Sequence, residues 1–113
     1  MDCVFCKIAA GTIPADVVYS DGELMAFRDI HPMAPVHDIL IPRKHIGSPN
    51  GLSDADQALA GSMLLAAGKV AIKEGIAESG YRLAINSGPH GTQAVPHLHL
   101  HILGGRLLSA ELG

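Results

Sequence analysis

The residues best equipped for chemistry stand in one short run. His97, His99 and His101 alternate with Leu98, Leu100 and Ile102, and the run continues into Leu103-Gly104-Gly105. That alternation is the period of a β-strand, so the three imidazoles share one face, about 6.5 Å apart at a rise of about 3.3 Å per residue. Leu98, Leu100 and Ile102 then face a core. Three uses of the histidine face compete. A solvated strand face is the plainest, but such faces carry mixed polar residues. Imidazoles two residues apart can share a metal ion. An imidazole, with an ordinary pKa of about 6.5, is also largely unprotonated at neutral pH and can attack an electrophile, while a neighbouring histidine stabilises the charge that develops or moves a proton.

Other residues invite a chemical reading. Cys3 and Cys6 form a Cys-x-x-Cys pair, a spacing that suits a metal or a redox couple. A thioredoxin-like motif needs a strand before it, and only two residues precede Cys3, so the redox reading ranks below structural zinc and below two buried thiols. His37 shares an alternating face with Ile39 and Ile41, where a single histidine is more often a satisfied core residue than a catalyst. Asp29 follows an apolar run and reads, on its own, as a solvated charge. His90 reads as an exposed loop histidine.

The segment His97-Leu-His-Leu-His-Ile-Leu103 resembles the signature of the histidine-triad (HIT) family. Val4-Phe-Cys-Lys-Ile8, Ala26-Phe-Arg-Asp-Ile30, Ala34-Pro-Val-His37, Ile41-Pro-Arg-Lys-His-Ile46, Tyr81-Arg-Leu83 and Leu103-Gly-Gly-Arg106 resemble its Hint branch in the same order, so the likeness spans nearly the whole chain. The resemblance implies that His99 is a nucleophile held in its attacking tautomer by the carbonyl of His97, that His101 assists at the phosphoryl group, and that His37 supports the triad. It implies a purine pocket walled by Phe5, Ile8, Phe27 and Ile30, with Asp29 on the ribose hydroxyls and Asn86, Thr92, Gln93 and Ala94 along the phosphate. It further implies structural zinc on Cys3, Cys6, His45 and His97, with no organic cofactor, and a homodimer. Many Hint proteins carry a serine where Ala94 stands and a Trp-Pro-Pro-Gly tail where this chain reads Arg106-Leu-Leu-Ser-Ala-Glu-Leu-Gly113.

The elements that must position these residues follow from pattern. Residues 3–10 fit a short helix ending at Gly11, with Val4/Ile8 and Phe5/Ala9 as its apolar stripe. Val17–Tyr19 and Leu24–Phe27 read as strands around a Ser20–Glu23 turn. Prolines 32 and 35 keep the next connector out of helix. Val36–Ile41 is a third strand, stopped by Pro42. Ser53 and the acidic residues after it open a helix from about Asp54 to the Gly75–Gly80 region, with Leu59, Met63, Ala66 and Val70 inward. Tyr81–Asn86 is a fourth strand, and a glycine-containing loop leads to the histidine strand. This loop is neither a P-loop nor a Rossmann turn, because no Gly-x-x-x-x-Gly-Lys occurs and no helix follows.

At 113 residues the chain reads as one domain, 1–113. A net charge of −3 and a pI near 6.1 argue against a broad nucleic-acid or membrane surface. No apolar run or signal-like N-terminus is visible, so the expected location is the cytoplasm. The expected fold is α+β, a two-layer HIT-like arrangement of about five antiparallel strands with one long and one short N-terminal helix. The activity that the resemblance implies is hydrolysis of a nucleoside 5′-phosphate derivative, foremost a purine nucleoside phosphoramidate, through a nucleotidyl-histidine at His99. The alternatives are a dinucleoside-polyphosphate hydrolase, a nucleotidyl transferase, metal-dependent hydrolysis at the triad, or a nucleotide- or zinc-binding module with negligible turnover.

Overall fold

The computed structural model describes residues 3–113. Its centre is a five-stranded antiparallel sheet in the order β1-β2-β3-β5-β4. The strands are β1 (Val17–Ser20), β2 (Leu24–Arg28), β3 (Val36–Pro42), β4 (Tyr81–Ala84) and β5 (Leu100–Gly104). Helix α1 (Val4–Ala9) precedes the sheet, and helix α2 (Gln57–Lys73) connects β3 to β4. The α+β class, the five strands and the long and short helices are those expected from the sequence.

Local chemistry sets the turns. Asp21 Oδ1 accepts the N–H groups of Glu23 and Leu24 at 2.8 and 2.7 Å, which closes the β1–β2 hairpin. Asp56 Oδ2 accepts the Ser53 N–H at 3.0 Å, capping the turn that leads into α2. At its far end α2 stops at Lys73, and Gly75 takes the left-handed conformation that ends helices.

Strand alternation sorts the side chains onto two faces. Leu24, Ala26, Leu40, Leu100 and Ile102 pack with Leu59, Met63, Ala66, Ala67, Val70 and Ala71 of α2. The small α2 side chains allow the helix to lie close to the sheet. Gly104 permits the same at the end of β5, where a Cβ would stand 2.8 Å from Ile76 Cδ1. Met25, Phe27, Ile39 and Ile41 point to the opposite face and pack with Cys3 and Phe5. Full burial of Leu40, Ile41 or Ile102 stabilises the fold by roughly 1.5–3 kcal/mol each.

Several boundaries differ from expectation. Asp54–Asp56 form a separate 3-10 turn, so α2 starts at Gln57. Strand β3 runs through Pro42, which sits opposite Leu24 at the last rung, where it need not donate. Strand β4 ends at Ala84, short of Asn86. In α1 the side chain that packs inward is Phe5, while Val4 is exposed. Most consequentially, the histidine strand begins only at Leu100, so His97 and His99 precede it. Among the described residues no helix is long and apolar enough to cross a membrane.

Candidate active site

The break before β5 has a backbone cause. Strand β3 pairs with β5 as far as Leu40 opposite Leu100. Beyond that rung Pro42 has no N–H to offer, and its carbonyl is taken at 2.8 Å by His97 Nε2. The Leu98 N–H turns instead to the carbonyl of Ile46 at 2.6 Å. Leu98 still enters the core beneath α2. The three histidines therefore do not form one regular strand face. His97 and His99 are 0% and 4% exposed, and His101 is half-buried.

His97 belongs to a cysteine–histidine cluster. Its Nδ1 lies 3.3 Å from Cys3 Sγ, 3.5 Å from Cys6 Sγ and 3.2 Å from His45 Nδ1. Cys6 Sγ is 3.3 Å from His45 Nδ1. All four ligand atoms fall within 4.8 Å of one another. A carbonyl can only accept, so Pro42 fixes the His97 proton on Nε2 and leaves the Nδ1 lone pair facing the two sulfurs. Burial, opposed by the hydrogen bond to the Pro42 carbonyl and aided by the neighbouring His45 and His99, keeps His97 below the usual imidazole range, which also favours the neutral ligand form. The four residues fit a metal ion, and the Cys2His2 donor set suits a tetrahedral one.

His99 and His101 form a second group, with ring centroids 4.9 Å apart. His99 Nδ1 donates to the carbonyl of His97 at 2.7 Å, which leaves the His99 Nε2 lone pair free. The tautomer of His101 is set from further away. The Met33 N–H donates to His37 Nδ1 at 3.0 Å, so neutral His37 carries its proton on Nε2. His37 Nε2 lies 2.9 Å from His101 Nδ1 and 3.4 Å from Asp29 Oδ2. His101 Nδ1 is therefore the acceptor, and His101 presents Nε2–H. Burial, then His99 and His37, push His101 down to about 4, with Asp29 opposing. His101 is thus a neutral N–H donor at neutral pH. Asp29, His37 and His101 also place possible ligand atoms within 4.8 Å of one another. With one His37 nitrogen accepting and the other protonated, that residue has no lone pair for a metal, and the trio is a hydrogen-bonded His37–His101 pair with the Asp29 carboxylate facing it.

The remaining expected site residues are placed as follows. Phe5 lies edge-on to Phe27, His97 and His99 at centroid distances of 5.5, 5.9 and 5.1 Å, forming the floor beneath the histidines. Phe27 is buried and Ile8 half-buried against the same cluster, while Ile30 is 86% exposed beside Asp29. Asp29 Oδ1 accepts the His31 N–H at 2.8 Å. In the loop before the triad, Asn86 Nδ2 donates to the Gly91 carbonyl at 2.7 Å. Gln93 spends its amide on the loop: Oε1 accepts from Gly88, and Nε2 donates to the carbonyls of Gly47 and Val95. Thr92 adopts a φ of 57° and its hydroxyl donates to the Gly91 carbonyl at 2.7 Å. Ala94 and His90 are exposed. The Met33 N–H and the Pro42 carbonyl were missed by sequence reasoning, since a backbone group leaves no residue-type signal. Asp38 was missed as well, although an aspartate inside Val36-His-Asp-Ile-Leu-Ile41 breaks an apolar run and was legible as such.

The HIT domain model matches residues 10–108. The chain is 46% identical over 111 residues to the purine nucleoside phosphoramidase of Escherichia coli strain K12, covering 98% of this chain and 93% of that protein. The crystal structure of a HIT family hydrolase from Legionella pneumophila Philadelphia 1 superposes with a TM-score of 0.96 at 49% identity, covering 99% of this chain and 100% of the other. A histidine triad protein from Clostridium difficile superposes at 0.95 with 40% identity, over 98% and 96% of the two chains. The protein belongs to the HIT family.

Proposed function

We propose that this HIT-family nucleotide hydrolase cleaves the phosphorus–nitrogen bond of purine nucleoside 5′-phosphoramidates through a nucleotidyl-His99 intermediate. The observation that carries the reading is the 2.7 Å bond from His99 Nδ1 to the His97 carbonyl, which frees Nε2 to attack. As the Nε2–phosphorus bond forms, His99 gains positive charge, which the same carbonyl stabilises. As the phosphorus–nitrogen bond breaks, the leaving nitrogen takes a proton from solvent and departs as the amine. Water then adds to phosphorus and gives up a proton to solvent, the bond to His99 breaks, and the nucleoside 5′-monophosphate is released. His101 supplies a neutral Nε2–H to the phosphoryl oxygens throughout. The similarity to the E. coli phosphoramidase supports the substrate class. Phe5, Ile8, Phe27 and the exposed Ile30 serve the base, Asp29 the ribose, and the Asn86–Ala94 loop the phosphate. Release of adenosine 5′-monophosphate from an adenosine phosphoramidate by the wild type, and its loss in His99→Ala, tests the proposal.

The metal fitting Cys3, Cys6, His45 and His97 is zinc, by donor set. A bound zinc would tie the N-terminal segment to the residue that orients the nucleophile. Two free thiols used as ligands support a reducing, cytoplasmic setting. Exposed Leu64, Leu65 and Ile72 on α2, with Tyr81 on the edge strand β4, support a homodimer.

A further inference from the structure

The residue assigned above to the ribose has a second set of contacts, and these lead into the triad. Asp29 is held by the His31 N–H at 2.8 Å on Oδ1, while Oδ2 faces His37 Nε2 at 3.4 Å. His37 Nε2 is also 2.9 Å from His101 Nδ1. The Asp29 side chain is 19% exposed and that of His37 is 5% exposed, so this charge acts on the imidazole with little screening by water. One proton, on His37 Nε2, lies between a carboxylate and the acceptor nitrogen of His101.

We propose that Asp29 is a positioning residue for His101, acting through His37, independently of any contact it makes with the sugar. The carboxylate attracts the His37 N–H edge, which fixes the ring against His101 and keeps electron density on the relay. His101 then points Nε2–H at the phosphoryl group in one orientation. Among the described residues, the titratable groups coupled to this pair are His99 beside His101, and Asp29 itself. Asp29 is the one negative charge among them and raises the proton affinity of both imidazoles against the effect of burial. The His31 N–H anchor makes Asp29→Asn a mild change, because the amide oxygen can keep that bond.

The assignment rests on the phosphoramidase reading for its kinetic arm, and a spectroscopic arm is independent of it. Wild type, Asp29→Asn, His37→Ala and the double variant are compared on an adenosine phosphoramidate and on its 2′,3′-dideoxy analogue. A ribose-only role predicts that Asp29→Asn costs nothing on the dideoxy substrate. The relay predicts that kcat on that substrate still falls about tenfold, with Asp29→Glu recovering part of it, and that the double variant is no slower than His37→Ala. In the substrate-free protein, nitrogen-15 spectra should show the titration of His101 moved to lower pH in Asp29→Asn. Unchanged His37 and His101 signals, or a kinetic effect confined to the ribose-bearing substrate, would overturn the proposal. Absence of turnover in the wild type would count against the phosphoramidase reading, and the spectra alone would then decide for or against the relay.

Discussion

His99 gives its Nδ1 proton to the backbone carbonyl of His97, 2.7 Å away, while the ring of that same His97 turns its Nδ1 lone pair to Cys3, Cys6 and His45. One residue thus serves two groups, with its carbonyl on the proposed nucleophile and its imidazole in the cysteine–histidine cluster. Replacing His99 removes the proposed attacking nitrogen and leaves the neighbouring donors in place. His99→Ala is expected to abolish turnover while nucleotide affinity stays within about tenfold of wild type, because the lost interaction belongs to the transition state. A variant retaining near-wild-type kcat would disprove the assignment of the nucleophile.

Metal analysis of the purified protein should find about one zinc per chain, and a zinc absorption spectrum should indicate tetrahedral coordination. Cys6→Ser should lower Tm by several degrees, at about 4–8 °C per kcal/mol for a domain near this size, more than it alters the chemical step. Metal-free protein that melts like the wild type would dismiss the site.

Stability should carry a signature unrelated to the triad. Asp38 on β3 is 0% exposed, and as a carboxylate neither of its oxygens finds a hydrogen-bond donor among the described residues. Burial first, then the charge of Glu74 and the hydrogen bond that the protonated carboxyl can share with it, raise the group to about 7, with Arg28 opposing and Asp16 adding slightly. Arg28 is itself held by Glu74 and Asp16, each at 3.0 Å. The folded-state value lies above the ordinary 3.8. The protonated residue's contribution is therefore fully present below about pH 4 and lost as pH rises through about 7. Asp38→Asn cannot ionise, so its Tm relative to wild type should climb across that window and exceed wild type at pH 8 by several degrees. A constant Tm difference across the window would show that Asp38 stays ionised throughout.

The strands, the helix pair and the Leu98/Leu100/Ile102 core face were legible because each expresses a simple period over several residues. The position of His97 was not. Its departure from the strand depends on Pro42 lacking an N–H in a different element and on the Ile46 carbonyl capturing Leu98. The cysteine–histidine cluster came from family likeness, since nothing in the spacing of Cys3, Cys6, His45 and His97 shows that residues 94 positions apart meet. The relay through His37 was half legible. The histidine stood out on its apolar strand face, but the Met33 N–H that chooses its tautomer is a backbone group. The resemblance set Gln93 along the phosphate; its amide bonds backbone groups of Gly88 and Val95 in the loop and of Gly47 after β3.

Thr92 and Ala94 give a test of that loop. The Thr92 hydroxyl donates to Gly91, and its backbone is left-handed, a strained conformation for a β-branched residue. Its hydroxyl proton is therefore not aimed at a phosphate. Thr92→Val should change kcat/KM little, and Thr92→Gly should stabilise the fold by about 1 kcal/mol. Ala94→Ser restores a donor where many Hint proteins have one and should raise kcat/KM for an adenosine phosphoramidate by about tenfold. A large loss in Thr92→Val, with no gain in Ala94→Ser, would show that Thr92 is the working donor.

The central claim is that His99 becomes covalently nucleotidylated, and trapping the intermediate tests it most directly. Wild type mixed with an adenosine phosphoramidate labelled at phosphorus and quenched within a single turnover should carry acid-labile, base-stable label on the peptide containing residues 97–101. His99→Ala should carry none, while Cys6→Ser should still be labelled. Absence of label from a wild-type enzyme that is turning over, or label retained in His99→Ala, would contradict the account.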